Sequence, residues 1–366
     1  MTARGPTASR SPEHVWAELL DSRRGGRIGV ATDKSIGCLL GCFVAACSGT
    51  STNQSQTPQV IPVPVRASTA GDALMAMAPA GADLVVEIDM ARLRHNQVVG
   101  PVFTRLATLS DRSIGGDLPG EESVADASSG FRAVDVELFR HADTVLFCAY
   151  HVGTDRASAL TILAGPEVDS LELVRTRGRP VGHLAEAGSV WVIGPRELVD
   201  RVQAVARSGG SALSDDRELL AQRARIMPAA ASGASLRIAA RLDFDARVAL
   251  AARLGLDRVP TGVAVWGDVA DDLAVVAAFR AETADGVSPL AGAAEKMRNR
   301  IAGHPWVRRH LLHFTVHTID IRRRDGEVRA VLVIGPSRLA RLMKRAAGFL
   351  DRLCGADCTA AATEQQ

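Results

Sequence analysis

Residue types able to do chemistry are few and scattered. His304, His310, His313 and His317 fall within fourteen residues. On one helix, His310, His313 and His317 would share a face and could hold a metal ion. The alternation of Phe314–Ile321 favours a strand instead, which would splay His313 and His317 away from His310. No carboxylate precedes Asp320 in this stretch. No metal site is therefore expected, and His310, His313 and His317 stand as weak candidates. Glu87 and Asp89 project from one side of an apolar run. Paired carboxylates can do acid–base work, but at these positions a solvent-facing role is the expectation. Of the six cysteines, Cys148 lies in Leu146-Phe-Cys-Ala and reads as a buried, inert thiol. Cys354 and Cys358 flank Gly-Ala-Asp. They could close a small disulfide loop in an oxidising compartment or stay a free pair. There is no phosphate-binding glycine loop, HExxH, GxSxG, calcium loop or CxxC motif. No catalytic residue is assigned, the chain is not expected to be an enzyme, and no cofactor is implied.

The remaining cysteines, Cys38, Cys42 and Cys47, lie in or beside an apolar segment. Behind Lys34, Ile36–Ala46 reads IGCLLGCFVAA, eleven residues without a charge. That is too short to span a bilayer, which takes about 20 residues, and it suits the apolar core of a secretory signal. Val44-Ala45-Ala46-Cys47 follows, and then the polar stretch SGTSTNQSQT. This segment resembles the lipobox of bacterial lipoproteins. The resemblance implies cleavage between Ala46 and Cys47, acylation of Cys47 by palmitate-type chains, and stable membrane anchoring. Leu39-Leu40-Gly41-Cys42 also fits the motif, but cleavage there would leave only Ile36–Gly41 as the apolar run. Ser48, in place of the aspartate that retains enteric lipoproteins in the inner membrane, points to the outer membrane. A leader of 46 residues departs from the usual 15–30, and a start near Val30 would restore a conventional length.

The elements behind these residues read as follows. Residues 1–29 form a polar extension, 30–46 the signal peptide, and 47–71 the lipidated cysteine and a linker rich in Ser, Thr, Gln and Pro. Two halves follow, 72–210 and 211–353, then a tail, 354–366. Each half opens on a strand running into a helix, Ala82-DLVVEIDMARL and Ala234-SLRIAARLDFDARVAL. Each closes on Val-Ile-Gly-Pro, at 192–195 and 333–336, where a strand stops and an amphipathic helix begins. Hairpins are expected at 144–165, 262–279 and 314–334, the last around Asp325-Gly326. Ala206–Ser214 reads as the link between halves, with Ser214 capping the next helix. Arg322-Arg323-Arg324 forms a basic hairpin tip able to meet anionic lipid head groups. The predicted fold class is α+β: two degenerate repeats of mostly antiparallel sheet with helices packed on one face.

Composition narrows the function classes. The chain has 366 residues, 47% hydrophobic and 23% charged, with net charge +2. Those values exclude wholesale disorder and give no electrostatic case for a nucleic-acid binder. Lysine supplies only three of the 43 basic residues, Lys34, Lys296 and Lys344. With the opening Pro79-Ala-Gly-Ala-Asp83, the mature part resembles lipoproteins of GC-rich Gram-negative bacteria such as myxobacteria, many of them uncharacterised. That resemblance implies no particular activity. The function expected is that of a lipid-anchored cell-envelope protein, non-catalytic, binding a protein or ligand in the periplasm or at the cell surface. The alternatives are an envelope hydrolase with a site assembled from distant residues, or a carrier of apolar ligand with a cavity of roughly 300–1,000 Å³.

Overall fold

The two strand openings behave as their alternation predicts. In the computed structural model, which describes residues 69–104, 141–166, 181–184, 190–227, 233–254, 256–309 and 312–354, Leu84–Asp89 forms β1 and Leu236–Arg241 forms β6. β1 and β6 pair antiparallel, with Glu87 opposite Arg237. The first half adds β2 (Thr144–Tyr150), β3 (Ser158–Ala164), β4 (Val181–Leu184) and β5 (Val190–Ile193). The second adds β7 (Gly262–Val269), β8 (Leu273–Arg280), β9 (Asp320–Arg324) and β10 (Glu327–Ile334). All ten form one sheet in the order β4-β5-β3-β2-β1-β6-β7-β8-β10-β9. Read outward from the β1–β6 seam, the halves have the same order: first strand, second, third, fifth, fourth. The internal repeat is thus a repeat of topology.

Local chemistry explains the repeated starts. Asp89 ends β1 and caps the short helix that follows, Met90–His95, by accepting from the Arg92 amide at 2.8 Å.

 The helix Ala70–Met75 is α1, and Met90–His95 is α2. In the second half Asp243 does the same for α5 (Phe244–Leu254), accepting from the Ala246 amide at 2.8 Å. A carboxylate at this position satisfies an amide that the first helical turn leaves unpaired. The repeated ends also agree. β5 stops at Gly194-Pro195 and α3 (Arg196–Ser208) begins, while β10 stops at Gly335 and α9 (Pro336–Cys354) begins with its proline in the first turn.

Three expectations are corrected. Ala206–Ser214 is not all linker, because α3 runs to Ser208 and ends on Gly209 in the left-handed region. Ser214 does not cap α4 (Arg217–Arg225). It sits in a 3-10 turn, and Asp216 accepts from the Leu219 amide at 3.0 Å instead. The segment at Phe314 is helix and not strand. His313–His317 forms α8, after α6 (Val287–Gly303) and α7 (Pro305–Arg309). Leu312, Thr315 and Val316 are its buried positions, a helical spacing. β9 starts only at Asp320, where it gains Val331 as a partner.

The helix layer is divided between the two faces of the sheet. On one face, Leu74 and Met75 of α1, Leu198 and Val202 of α3 and Leu219 of α4 bury against Val85, Leu146, Leu160, Ile162 and Val192. On the other, Met90 of α2 meets Val145 and Leu163. Leu93 of α2 and Leu339 of α9 join Leu273, Leu332 and Ile334 there, and Leu290 of α6 covers Val328. The α+β class holds, with one antiparallel sheet sandwiched diagonally.

The β9–β10 hairpin turns on Asp325 (φ 44°) and Gly326 (φ 81°), the pattern of a tight two-residue turn with both central residues left-handed. Gly326→Ala should lower unfolding free energy by about 1–2 kcal/mol, because a Cβ is disfavoured there. Urea titration followed by circular dichroism checks this, and an unchanged midpoint would contradict the turn assignment.

Candidate functional site

At the seam, charge is buried where the sequence suggested exposure. Glu87 is 7% exposed and Arg237 6%. Their side chains approach to 3.6 Å across β1 and β6. Arg223, on the face of α4 turned to the sheet, donates to Glu87 Oε2 at 2.6 Å from Nη2 and at 3.0 Å from Nε. Its Nη1 reaches Asp72 of α1 at 2.7 Å. Four charges from four elements thus interlock, two of each sign. Gly71 makes room for them, since a Cβ there would lie 2.1 Å from Glu87 Oε1. Expected as a solvent-facing residue, Glu87 is instead the centre of a buried network. Asp89 is the α2 cap described above.

Asp72 reports the strength of the network. Burial works to raise its carboxyl, but the Thr69 backbone amide, the Arg223 guanidinium and the Thr69 hydroxyl together hold it below the ordinary carboxylate value. A lowered folded-state pKa contributes stability that is complete above the unfolded value and lost as pH falls through the folded one.

Further ion pairs extend along the same side of the sheet. Arg241 meets Asp216 at 2.9 Å, Arg280 meets Glu218 at 3.2 Å, and the buried Glu327 is held by Arg329 at 2.5 Å with Arg225 at 3.6 Å. Between them lies a shallow depression lined by Gln222, Arg225, Gly262, Arg280 and Glu327. The space inside it is about 10 Å³, room for about one water molecule and far below the ~300 Å³ at which pockets for drug-sized ligands begin. Gln222 is 7% exposed, and its Oε1 finds no hydrogen-bond partner among the described residues. The depression is of a size to hold water and offers two guanidinium groups and one carboxylate, with no nucleophile. At the end of β7, on the side of the sheet that Arg237 and Trp266 share, Arg92 of α2 clamps Asp268 with two bonds, at 2.6 and 2.7 Å, and Ser235 donates to the same carboxylate at 3.0 Å.

The residues singled out in the sequence do not converge. His313 and His317 lie one turn apart on α8, and His310 is outside the described residues. His313 packs on Phe314 with ring centroids 3.9 Å apart, and His317 is exposed. Among the described residues no group of three or more His, Cys, Asp or Glu side chains is arranged to hold a metal. Cys148 is fully buried, and burial pushes its thiol up to about 12. Tyr150 is likewise raised by burial, and its hydroxyl donates to the Pro79 carbonyl at 3.0 Å. Ala46, Cys47 and Cys358 lie outside the described residues, and of Cys354 the backbone alone is described, at the end of α9. In the basic hairpin, Arg322 is paired with Asp320 and Arg324 with Asp325.

One signal for the buried network was present in the sequence. Glu87 interrupts the apolar run Leu84–Ile88, and Arg237 interrupts Leu236–Ala240. Opposite charges inside two central-strand patterns are what an antiparallel pair can neutralise. Arg223 and Asp72 carried no such mark.

Removing one member of this network leaves a buried charge uncompensated. Arg223→Met should cost about 3–5 kcal/mol in urea unfolding. Combining it with Asp72→Asn, which leaves Glu87 and Arg237 paired, should recover part of that loss, and additive losses would refute the coupling. Wild-type stability should fall as pH drops below 3.8, the ordinary aspartate value, and Asp72→Asn should flatten that part of the profile. Native Cys148 should resist iodoacetamide at pH 8 and react on unfolding, read by peptide mass mapping.

No protein-family model and no curated protein matches this chain. Among solved structures it is similar to the chain titled "Structure of crystal form I of TP0453", with a TM-score of 0.37 and 8% identity over 74% of this chain and 97% of that one. At that level the likeness transfers no function.

Proposed function

We propose that this chain is a lipid-anchored cell-envelope protein whose α+β domain serves as a non-catalytic binding module. The observation that carries the reading is the uncharged run Ile36–Ala46 ending at Val44-Ala45-Ala46-Cys47, followed by a polar stretch. Two or three acyl chains on Cys47 exceed what reversible single-chain binding supplies, so attachment is stable. Ser48 directs the protein to the outer membrane.

The non-catalytic half of the reading is supported by how the described ionisable groups are engaged. Asp72 and Glu87 neutralise Arg223 and Arg237. Asp89, Asp216 and Asp243 cap helices. Cys148 and Tyr150 are held in their neutral forms by burial. These groups stabilise the fold and have little capacity left for proton transfer.

Growth of the native host with a clickable palmitate analogue tests the anchor. The wild-type protein should be labelled, cleaved at Ala46–Cys47 and found in the membrane fraction. Cys47→Ser should be unlabelled and retain its leader. A labelled Cys47→Ser protein, or a wild-type protein with a free thiol at Cys47, would overturn the assignment.

A further inference from the structure

α9 gathers on one helix four basic residues without an ion-pair partner among the described residues. Elsewhere most arginines meet a carboxylate: Arg92, Arg94, Arg223, Arg225, Arg237, Arg241, Arg247, Arg280, Arg322, Arg324 and Arg329 all do. Arg338, Arg341, Lys344 and Arg345 do not: among the described residues none has an ion-pair partner. Spacings of three and four residues put them on one stripe of the helix, roughly 10 Å long at 1.5 Å per residue. Arg341, Lys344 and Arg345 are exposed, and Leu339, Leu342 and Met343 face the core. Arg338 is half-buried, and its guanidinium lies 3.5 Å from the Thr315 hydroxyl of α8. Burial and the charge of Arg341 both disfavour its protonated form. Next to Thr315 stands Phe314, 59% exposed and among the most exposed large apolar side chains of the described residues. The stripe therefore carries four cations without ion-pair partners among the described residues, and its Arg338 end meets α8 at the residue that follows the exposed Phe314.

We infer that α8 and the amino-terminal half of α9 form a docking face for an anionic phospholipid surface, with Arg338, Arg341, Lys344 and Arg345 on the head groups and Phe314 at the interface. An exposed stripe of cations along one helix suits a flat, laterally mobile array of phosphates. Basic residues beside an exposed aromatic are the combination that binds the boundary between head groups and acyl chains. The inference rests on the lipid-anchor reading for one element, proximity. Twenty-one residues lie between Cys47 and Thr69, and the 22 steps of about 3.5 Å hold the domain within roughly 77 Å of the bilayer. Tethering at that range raises the effective concentration of head groups at the patch. The hairpin Arg322–Arg324 is not part of the face, because Asp320 pairs with Arg322 and Asp325 with Arg324, which leaves it about one net charge against four on the stripe.

The test uses the full chain carrying Cys47→Ser, which cannot be acylated there and keeps its leader, so every α9 variant is read against this parent in the same background. Flotation is measured with vesicles of phosphatidylcholine alone and with about 30 mol% phosphatidylglycerol, at low salt and at about 0.5 M NaCl. The protein should float with the anionic vesicles at low salt, and much less with the neutral ones or at high salt. Each basic residue near such a surface contributes roughly a fivefold gain. R338Q/R341Q/K344Q/R345Q should therefore lose at least about tenfold in partitioning, after screening. Phe314→Ala should lose less, and R322Q/R323Q/R324Q should bind as the parent does. If the quadruple variant misfolds by circular dichroism, R341Q/K344Q/R345Q, all exposed, carries the test. Equal flotation with both vesicle types, an undiminished folded α9 variant, or capture by immobilised heparin without flotation would overturn the assignment. The last result would identify a soluble polyanion as the ligand.

Discussion

Everything in this fold depends on joining β1 to β6 with Glu87 opposite Arg237. Two five-stranded halves could meet at this seam in several registers. A slip by one residue would turn every side chain of one strand to the other face. It would expose the apolar residues Val85 and Ala239 and bury the wrong set. It would also strand two charges in an apolar layer, at a cost of several kcal/mol each. The charges thus penalise the wrong register more than they reward the right one. Arg223 and Asp72 complete the neutralisation and draw α4 and α1 down onto the same side of the seam. One network therefore decides strand register, helix position and the union of the halves.

Arginine is well suited to this work. Its guanidinium stays charged when partly desolvated and offers several donors in a fixed plane, so one side chain can satisfy two carboxylates at once. Arg223 does so between Glu87 and Asp72, and Arg92 grips both oxygens of Asp268. In a chain with three lysines among 43 basic residues, such clamps recur. They tie helices to strands. The stripe on α9 differs because its cations face away from the sheet, with no carboxylate among the described residues to meet them.

The division of helices between the faces follows from the strand order. Each half repeats the same five-strand path, yet α3 packs with Val190 and Val192 while α9 packs with Leu332 and Ile334. The residues after the shared Val-Ile-Gly-Pro decide this. In the second half, α6, α7 and α8 are inserted between β8 and β9. α6 then covers Val328 on the same face as α9. The strand path and the helix starts repeat, while among the described helices the packing faces differ, since sheet pairing constrains the backbone directly and helix docking depends on which side chains are offered.

Period-two alternation and turn chemistry were enough to read the α+β class, the paired strand starts, the Gly-Pro junctions and the Asp325-Gly326 hairpin from the sequence, because each is a local property of the backbone. The lipobox resemblance is local in the same way. What tertiary structure decided was which residues meet. Glu87 looked solvent-facing because alternation marks a side of a strand and cannot say what covers it. α4, 136 residues away from Glu87 in the chain, covers it. His313 and His317 looked like the start of a strand until Leu312, Thr315 and Val316 found a common buried surface. The charge stripe of α9 could be spelled out from the sequence, but its lack of partners is a fact about distances in space, and those are set by packing between elements far apart in the chain.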